Sequence, residues 1–180
     1  MILLGALMGA LAGVGVIGQA HADDFSIISK DKPPPSPGEW PTCEEAKSPQ
    51  EVMVHVEGIE GDDGNLRVQL YDDVPDHFLA KGWKLYRRDM PITGETMDVC
   101  VPVPKPGVYA IVVLHDANKN GKFDVFSEGF GFSNNPKIRF STPDHEDVAF
   151  MVKPGITKLD VEMKYILGRR TKPVRRGGKY

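Results

Sequence analysis

A chain of 180 residues, 41% hydrophobic and 26% charged, has the composition of one modest globular domain and excludes a collagen, a coiled coil and a wholly disordered polypeptide. Its 19 glycines and 15 prolines fall between short apolar runs, as in an all-β chain with many turns and unlike a helical bundle. The formal charge of −3 hides an asymmetry: residues 168–180 carry Arg169, Arg170, Lys172, Arg175, Arg176 and Lys179 and no acid, leaving the remainder strongly acidic.

From Ile2 to Ile17 no charge interrupts the chain, and Ala20-His21-Ala22 supplies the small-x-small pattern that signal peptidase cleaves. Residues 1–22 therefore read as a signal peptide, which places the mature protein in the periplasm or outside the cell. A retained membrane anchor is the competing reading, since about 17 apolar residues reach the low end of a spanning helix. The Leu11-Ala12-Gly13 stretch continues with Val14, so the cysteine of a lipid anchor is missing. Export predicts that Cys43 and Cys100, the only two thiols, are bridged. A reactive or metal-binding thiol is the alternative, without a CxxC or an adjacent base to support it. Residues 23–49 form a Pro-rich extension in which Pro33, Pro34, Pro35 and Pro37 hold the backbone extended.

Residues 50–166 carry the domain pattern. Val52, Val54 and Val56 alternate, as do Leu66, Val68 and Leu70, predicting two half-buried strands joined through a hairpin turn at Asp62-Asp63-Gly64-Asn65. Pro75 to Lys81 predicts one helical turn, and Met97, Val99 and Val101 resume the period of two. Val108 to Leu114 is apolar at every position, which predicts a central strand covered on both faces. Val148, Phe150 and Val152, then Leu159, Val161, Met163 and Tyr165, close the pattern. The sum is an all-β fold, a single antiparallel β-sandwich of about seven strands with one short helical turn. Residues 167–180 read as a basic disordered tail or, alternatively, a tether to a membrane surface or anionic polysaccharide. Nucleic acid is not an expected partner outside the cytoplasm.

Directly after the central strand, His115-Asp116-Ala117-Asn118-Lys119-Asn120-Gly121-Lys122-Phe123-Asp124 copies the first nine places of an EF-hand calcium loop. Asp116, Asn118 and Asn120 would give side-chain oxygens, Lys122 its carbonyl, and Asp124 a direct or water-mediated ligand. The twelfth place is Ser127 instead of a bidentate Glu, with Glu128 one residue later. A calcium site of this kind would be weak; the competing reading is a hairpin turn on Asn120-Gly121 without metal.

Next, Phe130, Phe132, Ser133, Asn134 and Asn135 alternate rings and glycines and end in hydroxyl and amide groups, a recognition loop for carbohydrate, peptide or another envelope component. Alternatively, the two rings plug the sandwich and the polar groups satisfy a turn. A hydrolase or lyase centred on His115, Asp116 and Ser133 is a further reading, although the serine lacks a nucleophile elbow and His115 alternates with Ile111 and Val113. His55, His77 and His145 have no zinc-ligand spacing.

Val108 to Asp116, the Asn118/Asn120-Gly121-Lys122/Asp124 loop and Gly131-Phe132-Ser133-Asn134-Asn135 together resemble a family of small exported bacterial proteins of unknown function, over about Val52 to Tyr165. The resemblance implies a transthyretin-like or immunoglobulin-like sandwich without an established activity. The spacer from Asp124 to Glu128 is shorter than in that pattern and lacks its G-x-P. On these residues the expectation is an exported, non-enzymatic module with a weak structural calcium loop beside a recognition loop.

Overall fold

Alternating apolar residues build two facing sheets in the computed structural model, which describes residues 42–138 and 141–167. The expected signal peptide, residues 23–41 of the Pro-rich extension and residues 168–180 of the basic tail lie outside the described residues. Among the described residues eight strands form: β1 (Gln50–Glu57), β2 (Asn65–Tyr71), β3 (Tyr86–Pro91), β4 (Met97–Val103), β5 (Gly107–Asp116), β6 (Gly129–Phe132), β7 (Phe150–Val152) and β8 (Gly155–Glu162). One sheet has the order β4-β1-β8 and the other β3-β2-β5-β6, with β7 also paired to β5. Helical pieces are single turns: α1 (Cys43–Ala46), a 3₁₀ turn at Pro75–His77 and α2 (His145–Val148).

The all-β sandwich is as the sequence predicts, with four differences. β1 and β8 run parallel, with Val54 opposite Leu159, while every other strand pair is antiparallel. β8 enters its sheet from the opposite layer, and only a tight hairpin forces neighbours to be antiparallel. The segment 58–64 is not a hairpin, because β1 and β2 lie in different sheets and the chain crosses between layers. Gly64 has φ +83°, and a Cβ there would collide with the backbone of Asp116 and Ala117, so this crossing lies directly against the end of β5. Val148 belongs to α2 and not to a strand, and polar β3 is an additional edge strand.

Burial follows the period of two. Val52, Val54, Val56, Leu66, Val68, Leu70, Val99, Val101, Ile111, Val113 and Val161 meet between the sheets. Tyr71, Ala110, Val112, Phe130, Phe132 and Val148 form a second cluster on the outer face of the larger sheet. β5 therefore lies between two apolar layers, which explains its unbroken hydrophobic run.

At the other layer, Thr42 and Glu45 make a capping box: the Glu45 amide donates to Thr42 Oγ1 at 3.2 Å, and the Thr42 amide donates to Glu45 Oε2 at 2.7 Å. The disulfide Cys43–Cys100 then fastens this turn to β4.

Candidate functional site

β5 carries its last two residues to opposite faces. His115 continues the row of Ile111 and Val113 towards the interior, and Asp116 continues the outward row; both are buried. The loop from Ala117 to Glu128 then folds back on these residues before β6.

Asp116 organises the loop. Its Oδ1 accepts the Asn120 amide at 3.1 Å, and its Oδ2 accepts the Gly121 amide at 2.8 Å and Arg67 Nη2 at 2.7 Å. Asn118 Oδ1 accepts the Asn120 amide at 2.9 Å, and Asn120 Oδ1 accepts the Lys122 amide at 2.7 Å. Asp124 Oδ1 accepts the Phe126 amide at 3.2 Å. Glu128, 1% exposed, closes the ring: Oε1 accepts the Ala117 amide at 3.1 Å and Oε2 the Asp124 amide at 2.9 Å. The side-chain oxygens that the calcium reading assigns to a cation thus satisfy loop amides, which are costly to bury unpaired.

Among the described residues, Asp116, Asp124 and Glu128 do not gather carboxylate oxygens within 4.8 Å of one another. Among the described residues such a grouping occurs only at Cys43, Glu51 and Cys100, where the two sulfurs are bonded to each other. The loop's apolar side chains face the other way: Phe123 and Val125 are exposed, and Phe126 is 66% exposed.

His115 and Ser133 are not brought together. His115 Nδ1 lies 2.8 Å from the Tyr165 hydroxyl and Nε2 2.9 Å from the Asp63 carbonyl, and the Tyr165 hydroxyl also accepts the Glu60 amide at 3.0 Å. The imidazole therefore pins the 58–64 crossing to the end of β5. Ser133 Oγ, fully buried, donates to the Val148 carbonyl at 2.5 Å and accepts the Ile111 amide at 3.0 Å. Ile111 lies four residues before His115 on one strand, about 13 Å away. The His115/Asp116/Ser133 constellation of a hydrolase or lyase is not assembled.

Of the expected recognition loop, Phe130, Phe132 and Ser133 are buried, while Asn134 and Asn135 are exposed. Phe130 and Phe132 pack in the outer cluster, with ring centroids 5.9 Å apart. Glycine alternates with them because the opposite face admits no side chain: a Cβ at Gly129 would enter the Tyr165 ring, and one at Gly131 would press on Val161. Asn134 Nδ2 donates to the Ala149 carbonyl at 2.8 Å, and Asn135 bridges the Asp160 carbonyl and the Glu162 amide at 3.0 and 2.8 Å. These five residues staple β6 to α2 and β8. Only a small, open cleft lies beside them, lined by Phe130, Phe132, Asn135, Pro136, Ile138 and Glu162.

The family model for DUF2141, uncharacterized proteins conserved in bacteria, matches residues 54–160. The chain belongs to the DUF2141 family. No curated protein matches the sequence. A solved crystal structure of an adhesin candidate from Bacteroides ovatus aligns at 12% identity and TM-score 0.34, over 73% of this chain and 49% of that one. The chain thus spans about half the length of that protein, and a likeness at this level carries no functional argument.

Within this DUF2141 domain, the residue that spacing arguments missed is Arg67. It is 3% exposed, and Nε donates to Asp89 Oδ1 at 2.5 Å, Nη2 to Asp116 and Nη1 to the Gly121 carbonyl at 3.2 Å. Asp89 Oδ2 in turn accepts Arg87 Nε at 2.9 Å. A guanidinium offers a planar fork of donors, and here the fork spans β3, β5 and the loop. Alternation puts Arg67 opposite Leu66 and Val68, on a face that sequence reads as solvent. The signal that betrays it is its company: Gln69 and Tyr71 share that face, and their side chains bond at 3.1 Å in a buried layer where burial pushes the Tyr71 phenol above the usual tyrosine range.

Proposed function

We propose that this DUF2141 domain is an exported, non-enzymatic binding module whose Ala117–Glu128 loop is a structural brace, held by Arg67 without need of calcium. One observation carries the reading: the buried acidic, amide and imidazole groups that catalysis or metal binding would use are engaged by backbone amides, backbone carbonyls, Arg67 or the Tyr165 hydroxyl. Arg67 supplies to Asp116 the positive charge that a cation would otherwise bring. Export is supported by the Cys43–Cys100 disulfide, which persists in oxidising compartments. The partner class is a carbohydrate, peptide or other envelope component, met by loops at the sandwich ends.

Calcium binding at the same loop is the second reading, favoured by the fact that Asp116, Asn118 and Asn120 all turn their oxygens into the loop. Thermal unfolding in millimolar calcium and in chelator separates the two. The brace reading expects one melting temperature in both. A rise in calcium that Asp116→Ala abolishes assigns the loop to calcium instead.

A further inference from the structure

The end of the sandwich that carries the braced loop exposes apolar side chains from two separate segments. In the loop, Phe126 is 66% exposed, and Phe123 and Val125 are exposed beside it. The backbone under them is fixed. Asp124 Oδ1 accepts the Phe126 amide at 3.2 Å, and the Asp124 carbonyl accepts the Ser127 and Glu128 amides at 3.2 and 2.9 Å. Phe123 sets its ring edge-on to Phe130, centroids 5.9 Å apart. The turn that presents Phe126 is thus ordered by the same brace.

The second segment follows β8. Tyr165 is tied to this end, since its hydroxyl lies 2.8 Å from His115 Nδ1 and its ring fills the space that a Cβ on Gly129 would need. Ile166 and Leu167 come next, 54% and 70% exposed. The following residue starts one Cα step, about 3.8 Å, beyond Leu167. Residues 168–180, with six basic side chains and no acid, therefore begin at this end. Lys119 and Lys122 add exposed positive charge from the loop. The far end of the larger sheet, about 20 Å away where β2 stops at Tyr71, differs. There the Asp72–Leu85 connection sets its rings against one another, His77 on Trp83 at 3.6 Å and Phe78 beside Tyr71 and His145 at 5.6 and 5.9 Å.

Exposed apolar groups bordered by cations fit a partner with hydrocarbon beneath a negative surface. A polysaccharide offers the charge without the hydrocarbon, and a second copy of this chain would set like charges against each other. We propose that this end of the sandwich docks on an anionic lipid bilayer, with Phe126, Ile166 and Leu167 entering the headgroup region and the basic side chains meeting lipid phosphates. Glu57, Asp62, Asp63, Asp124 and Glu162 are exposed at the same end, so the loop lysines alone do not set the sign of its charge. The six cations after Leu167 do. This inference rests on the binding-module reading and names the envelope component as a membrane surface.

The test uses residues 23–180 in chelator, sedimented with vesicles of phosphatidylcholine alone or mixed with phosphatidylglycerol. Binding to the mixed vesicles is expected to be at least about tenfold tighter than to the neutral ones, a preference that deletion of residues 168–180 should remove. Phe126→Ser should weaken binding about tenfold, a loss that added salt does not screen. Ile156→Ser, a change at an equally exposed residue where β8 starts at the far end, should have no effect. An unchanged melting temperature in each variant excludes misfolding. Phe126→Trp should be quenched by bromine-labelled acyl chains beyond the level of the wild-type protein, which reports insertion. No sedimentation with either vesicle, or equally tight binding to dextran sulfate, overturns the membrane assignment and leaves the module reading standing. Binding that Phe126→Ser leaves intact, or Phe126→Trp without added quenching, overturns the docking face. Binding that appears only when calcium replaces chelator overturns the calcium-free brace on which that face is built, and release of fatty acid from the vesicles overturns the non-enzymatic reading.

Discussion

The two ends of the larger sheet solve the same problem, ordering a long loop, with opposite chemistry. At one end Asp116, Glu128 and Arg67 are buried, and their charges are consumed by one another and by loop amides. At the other, His77 and Trp83 order the loop by stacking and remain partly exposed. A buried charge must be satisfied inside the protein, so a dense polar motif in sequence need not offer anything to a ligand. A stacked ring pair has no such obligation, and Trp83 is 37% exposed. The oxygens of the D-x-N-x-N-G motif accept amides of their own loop, whereas the Asp72–Leu85 stretch is held largely by ring contacts.

The sharpest break of this contrast is Arg67→Met, which strands Asp116 and Asp89 without their shared guanidinium. Removing one member of a buried ion pair costs about 3–5 kcal/mol, read as a lowered urea midpoint, whereas Trp83→Ala should change stability far less. Equal losses in the two variants would erase the distinction between the two ends. Next in size is the bridge from α1 to β4. Cys43→Ser with Cys100→Ser releases a closed loop worth about 4 kcal/mol in the chain-entropy model, and reductant should lower the melting temperature of the native protein but not of the double variant. Third, Glu128→Gln keeps the shape but removes the charge that two amides share. A loss of about 1.5–3 kcal/mol is expected, the scale of a charge-assisted hydrogen bond, and an unchanged urea midpoint would show that the carboxylate does not hold the loop.

The smallest expected effect concerns pH. His55 on β1 faces Asp98 on β4, and that hydrogen bond holds the imidazole pKa above its ordinary value, against a lesser opposing effect of desolvation. A raised pKa means that protonation favours the folded state. The contribution is complete below the ordinary histidine value, about 6.5, and fades as pH rises through the raised one. Wild type should exceed His55→Gln in stability at about pH 5 and match it at about pH 9, where the ring is neutral. A gap that persists at the higher pH would contradict this.

Much of the fold was legible because burial is written in the period of two. Val108 to Leu114 reads as a doubly covered strand and is one, and His115 falls on the interior face that its alternation with Ile111 and Val113 assigns. The period names a face and not a neighbour, which is why parallel β8 and the layer-crossing at 58–64 escaped it. β3 escaped because Tyr86-Arg87-Arg88-Asp89 is polar, as a sheet edge permits. At the candidate site, the spacing of Asp116, Asn118, Asn120 and Asp124 correctly announced a tight, oxygen-rich bend. It did not announce what those oxygens bind, because the decisive group, Arg67, lies 49 residues earlier in the chain. The Gly/Phe alternation left display and plugging both open for a similar reason: Tyr165 and Val161, far along the chain, are what exclude side chains at Gly129 and Gly131.

The central claim is that the loop after β5 stands on its own charges. Amide hydrogen exchange of Ala117, Asn120, Gly121 and Asp124, followed by nuclear magnetic resonance in the presence of chelator, tests it directly. Each of these amides donates to Asp116 or Glu128. The account predicts slow exchange at all four without calcium, and no further slowing when calcium is added. Fast exchange in chelator that calcium suppresses would contradict it.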